Sequence, residues 1–88
     1  MPTITVTARN ADTYQVTVED GGSTSRHTVT CDDTAWKQFG GASASKEDLM
    51  QKSFTFLLQR ESKESILSQF ALPLIGRYFP EYQSVINT

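Results

Sequence analysis

The strongest constraint on the fold is an alternation of residue types through the first third of the chain. Ile4, Val6 and Ala8 alternate with Thr3, Thr5 and Thr7. Tyr14, Val16 and Val18 alternate with Gln15, Thr17 and Glu19, and His27, Val29 and Cys31 with Arg26, Thr28 and Thr30. Strand side chains point to opposite faces with a period of two, so the pattern predicts half-buried strands over residues 3–8, 13–19 and 25–31. Asn10-Ala11-Asp12 and Asp20-Gly21-Gly22-Ser23 separate the runs and carry residues that accept the backbone of a tight turn. The expected unit is a three-stranded antiparallel meander with one apolar and one threonine-rich face. An apolar sheet face has to be covered by something.

The second half of the chain supplies the cover. Asp32 or Asp33 is placed to cap a short helix over 33–39, with Trp36 and Phe39 on one side and Gly40-Gly41 as its stop. Ser45 with Asp48 three residues later is a variant of the capping box and opens a helix over 46–61. Leu49, Met50, Phe54, Leu57 and Leu58 form its inward stripe. Ser62 is placed to cap a further helix over 63–70 with Ile66, Leu67 and Phe70 inward. Pro73 suits the first turn of a last helix over 73–79. Tyr82, Val85 and Ile86 are expected to pack. The predicted fold is therefore α+β, with three or four short helices on one face of the meander.

With 88 residues there is room for a single core, so residues 1–88 read as one domain, a meander to residue 31 and a helical part beyond it. The net charge of −2 lies entirely in residues 1–45, and the remainder is balanced, which gives no footprint for nucleic acid or an anionic membrane. A lone cysteine, Cys31, can form neither an internal disulfide nor a metal cluster and fits a reducing, cytoplasmic setting. The start MPTITVTARN lacks the pattern of a signal peptide, and the apolar run Phe54–Leu58 is far below the roughly 20 residues of a membrane helix, so a soluble chain is expected.

The C-terminal half carries several distinctive elements. They include Phe54-x-Phe56-Leu57-Leu58-x-Arg60-Glu61, Lys63-Glu64-Ser65-Ile66-Leu67, Leu72-Pro73-x-Ile75-x-Arg77-Tyr78-Phe79-Pro80, and Tyr82. With the threonine-rich hairpins before them, they cover most of the chain, which resembles a family of small uncharacterised bacterial proteins. The resemblance implies a small bacterial cytoplasmic protein and supplies no catalytic or binding residues.

No motif names a chemistry. His27 and Cys31 share a strand face but stand roughly 13 Å apart at about 3.3 Å per residue, too far for a nucleophile–base pair. Zinc asks for about four ligands, and no such set stands at a recognised spacing, so neither a metal nor another cofactor is expected. A ligand pocket near Tyr14, His27 and Cys31 is one alternative, because the three share a sheet face. Nucleic-acid binding through Arg60, Lys63 and Arg77 is another; against it, a helix carrying Leu74, Ile75, Tyr78 and Phe79 offers no base-reading side chains.

The leading expectation is a non-catalytic interaction module. Trp36, Phe39, Phe54, Phe56, Phe70, Tyr78, Phe79 and Tyr82 are a large aromatic complement for one small sheet. Phe56 lies off its helix stripe, and Arg77-Tyr78-Phe79-Pro80 sets a cation beside rings, a composition common among interface anchors. Phe56, Arg77, Tyr78 and Phe79 are thus the candidate partner-binding residues. An outer strand edge without lysine is the other candidate surface, for a protein partner or a second copy.

Overall fold

A computed structural model describes residues 2–87. It is α+β. Strands β1 (Thr3–Ala8), β2 (Thr13–Asp20) and β3 (Ser23–Thr30) form the antiparallel meander that the alternation predicts. Thr5 lies opposite Thr17 and Val6 opposite Val16, so threonines share one face and β-branched apolar residues the other. The side chain of Asn10 accepts from the amides of Asp12 and Thr13, both at 2.9 Å, and closes the first turn. Gly21 and Gly22, with φ of 62° and 83°, make the second; two successive positive φ values are what a twisted hairpin needs and what most side chains resist.

Helices α1 (Asp33–Phe39), α2 (Lys46–Leu58), α3 (Leu74–Tyr78) and α4 (Tyr82–Ile86) complete the fold. Asp32 caps α1 by accepting from the Ala35 amide at 2.9 Å. Ser45 caps α2 by accepting from the Asp48 amide at 3.1 Å, and Asp48 reaches back to the amide of Ala44. Tyr14, Val16, Val18, Val29 and Cys31 pack under Leu49, Met50, Phe54 and Leu57 of α2, with Phe39, Tyr82 and Ile86 closing the far side. Thr3, Thr5, Thr7 and Thr30 are exposed on the opposite sheet face.

Several details depart from expectation. The sheet has a fourth strand, β4 (Gln69–Ala71), parallel to β3 in the order β1-β2-β3-β4. The segment predicted as a helix over 63–70 instead makes one 3-10 turn, Lys63–Ser65, and then extends. The cause lies on β3, whose outer side needs partners. The Thr28 amide donates to the Ser68 carbonyl at 2.8 Å, the Leu72 amide donates to the Thr30 carbonyl at 2.8 Å, and His27 Nδ1 bonds the Leu67 carbonyl at 2.8 Å. Ser62 makes no capping bond and meets Ser65 Oγ instead.

The helix expected over 46–61 ends at Leu58, where the bonding tightens to three-residue steps, Gln59 to the Phe56 carbonyl and Arg60 to the Leu57 carbonyl. Tyr82–Ile86 is a helix of its own. Its Tyr82 and Ile86 are buried, but Val85 faces out at 46% exposure rather than packing. This fourth helix covers a second side of α2, and Phe56 falls under it.

Candidate functional site

The sheet and its core do not end together. β4 spans three residues, and beyond it the apolar interior opens into a groove of about 380 Å³. One wall is Leu57 and Glu61 at the end of α2, another is Ser65 to Leu67, and the floor and far wall are Phe70, Leu74, Ile75, Tyr78 and Phe79. Tyr78 is 66% exposed and Leu67 49%, two of the large hydrophobic residues that remain open to solvent. Both follow from local structure. Helix α3 buries Ile75, and Tyr78, on the last turn, faces out. In the extended segment before β4, Ile66 turns inward, so its neighbour Leu67 turns out.

The groove wall is mostly apolar, and among the described residues Glu61 is its one charged side chain. Among the described residues Glu61 takes part in no ion pair. Of β4, Phe70 lines the groove. The Ser68 carbonyl, the polar groups of Phe70 and the Leu72 amide turn toward β3, as the Thr28–Ser68 and Thr30–Leu72 bonds require. The amides and carbonyls of Gln69 and Ala71 therefore point outward, where they meet no other backbone group among the described residues.

The four candidate residues part company here. Tyr78 and Phe79 line the groove. Arg77 is exposed on α3, lies outside the groove lining and makes no ion pair among the described residues. Phe56 needs correction as a surface contact: it is 3% exposed, edge-on to Phe79 at 5.8 Å and to Tyr82 at 5.2 Å. The Arg60 guanidinium covers its ring at 3.6 Å and pairs with Glu81 at 3.2 Å. Phe56 supports the groove from behind by backing Phe79. The sequence reading missed Leu57, Glu61, Ile66, Leu67, Phe70 and Leu74 as one surface, because only β4 draws them together.

The other constellations resolve into packing. Tyr14, His27 and Cys31 are all buried, and none lines the groove. His27 is held at both nitrogens, by the Leu67 carbonyl and by Ser25 Oγ at 2.8 Å, against the Phe54 ring. A carbonyl only accepts, so Nδ1 carries the proton there. Burial pushes the Cys31 thiol and the Tyr14 phenol up, away from the ionised forms nucleophilic chemistry uses.

Of the three cations considered for nucleic acid, Arg60 is paired with Glu81, and Lys63, itself buried, is paired with Glu64. Among the described residues no group of three or more His, Cys, Asp or Glu side chains is placed to hold a metal. None of their helices is long and apolar enough to cross a membrane. No family model, curated protein or solved structure matches the chain.

Proposed function

We propose that the protein is a non-catalytic interaction module that seats apolar side chains of a protein partner in the groove between α2, β4 and α3. One observation carries this: Leu67 and Tyr78 stand open to solvent on either side of the half-buried Phe70 and Phe79, along one continuous apolar groove. Exposed apolar surface gathered in one concave place, rather than scattered, marks a binding surface. Burying such a ring and leucine contributes about 1.5–3 kcal/mol each, enough for anchor residues.

The test is a photo-crosslinking amino acid placed at position 67 or 78, with position 17 on the threonine face as control. A crosslinked species of defined mass that appears at 67 and 78 and not at 17 supports the reading. Equal crosslinking at all three positions, or none, removes it.

A second reading has its own observation. Strand β1 is a sheet edge of six residues without a charge. The bond from the Arg9 amide to the Thr13 carbonyl fixes the odd residues of β1 as those that face β2, so Ile4, Val6 and Ala8 turn their amides and carbonyls outward. Antiparallel pairing with a second copy then matches threonine to threonine and apolar to apolar. A dimer mass in sedimentation that Val6→Pro reduces to a monomer supports this reading, because proline at 6 removes an outward donor and leaves the donors that face β2 in place. A monomer at all concentrations excludes it.

A further inference from the structure

Resting on the groove reading, we infer that the partner is an extended polypeptide segment that adds to the sheet beside β4. The argument joins two features that lie against each other. The outward amides and carbonyls of Gln69 and Ala71 form a short row of donors and acceptors that no backbone group among the described residues uses. Phe70, the residue between them, lines the groove, so the groove lies on the sheet face to which the middle side chain of a fifth strand would turn.

The geometry dictates what such a segment looks like. Residues of an antiparallel neighbour set opposite Gln69 and Ala71 exchange a pair of hydrogen bonds with each. The residue between them lies opposite Phe70, and residues opposite one another in a sheet share a face. Phe70 points to the core, so that residue points into the groove against Leu67, Tyr78 and Phe79, while its two neighbours point to the threonine face. The expected pattern is polar–apolar–polar, with a large apolar residue at the centre. Glu61, the single charge on the groove wall and free of an ion pair among the described residues, favours a lysine or arginine two residues from the apolar one.

A short edge strand ordinarily closes a sheet by leaving little to pair with. Here the core beneath the edge stays open, which is the arrangement strand addition uses: the main chain supplies affinity and a pocket for alternate side chains supplies specificity.

The probe is the capped heptapeptide Thr-Lys-Thr-Phe-Thr-Val-Thr, titrated to millimolar concentration into isotopically labelled full-length protein. Strand addition predicts slowed amide exchange at Gln69 and Ala71 together with shifts at Leu67, Tyr78 and Phe79. N-methylating the two threonines beside the phenylalanine removes their donors and is expected to weaken binding by about tenfold or more.

If the N-methylated peptide binds as well as its parent, with shifts at the groove alone, strand addition is wrong and the groove reading stands. If neither peptide binds, both fall. If Gln69 and Ala71 are already protected in a concentration-dependent way without peptide, a second copy occupies the edge and the inference of a separate partner is overturned.

Discussion

Tyr82 joins the groove to the rest of the core, and its hydroxyl gives a prediction that can be worked through atom by atom. Ser53 Oγ lies 2.7 Å from the Leu49 carbonyl and 2.6 Å from Tyr82 Oη, all within the core. The carbonyl only accepts, so the single serine proton is spent on it, and Tyr82 must donate to Ser53. The two substitutions are therefore unequal. Tyr82→Phe removes a donor and leaves Ser53 still bonded to Leu49, costing about 1 kcal/mol. Ser53→Ala leaves a buried phenol with no acceptor, a loss of about 1–3 kcal/mol.

Adding Tyr82→Phe to Ser53→Ala removes the stranded hydroxyl, so the double variant is expected to be more stable than Ser53→Ala alone, by about 1 kcal/mol. Urea unfolding followed by Trp36 fluorescence measures all three, with stability read from the midpoint at constant slope. If Tyr82→Phe costs more than Ser53→Ala, the assigned direction of the bond is wrong; if the double variant is the sum of the singles, the two hydroxyls are not coupled at all.

Other outcomes follow from the same packing. Gly40→Ala is expected to destabilise by about 1–3 kcal/mol in the same urea assay, because a Cβ there falls 2.6 Å from the Trp36 carbonyl oxygen and closer still to its ring. The buried Cys31 thiol, pushed up by desolvation, is expected to react with a disulfide reagent at pH 8 at least about a hundredfold more slowly in the folded protein than in urea. A comparable rate in both states would contradict its burial.

Desolvation also raises the Tyr82 phenol above its ordinary value of 10.0. Its contribution is then complete below about pH 10 and is lost as pH rises, because the unfolded chain ionises first. Stability should fall by up to about 1.4 kcal/mol per pH unit for this tyrosine, and Tyr82→Phe should flatten that slope.

How much of this was legible in the sequence depends on the range of the contacts. The meander was, because Ile4 to Ala8, Tyr14 to Val18 and His27 to Cys31 each state their own periodicity and their turn residues fix the pairing. The caps at Asp32 and Ser45 were, because they act within three residues. β4 was not. Ile66, Leu67 and Phe70 match a helical stripe, and their extended form is imposed by Thr28 and Thr30 from far back in the chain. The groove was half legible for the same reason: Tyr78 and Phe79 stood out by composition, but Leu67 reads as an inward residue until the segment is known to be extended. Phe56 was misplaced because its cover, α4, is a five-residue helix that no cap or long stripe announces.

The central claim is that the open end of the core beside β4 is a docking surface. It is tested most directly by titrating the capped heptapeptide into labelled wild type and into Leu67→Asp, with the unfolding midpoint of the variant measured alongside. Leu67 is exposed, so its replacement should change stability by no more than about 0.5 kcal/mol. The account predicts shifts clustered at Leu57, Leu67, Phe70, Tyr78 and Phe79 in wild type, and their loss in a variant that folds as well. Undiminished binding to Leu67→Asp, or shifts centred on Ile4 and Val6 instead, would contradict it.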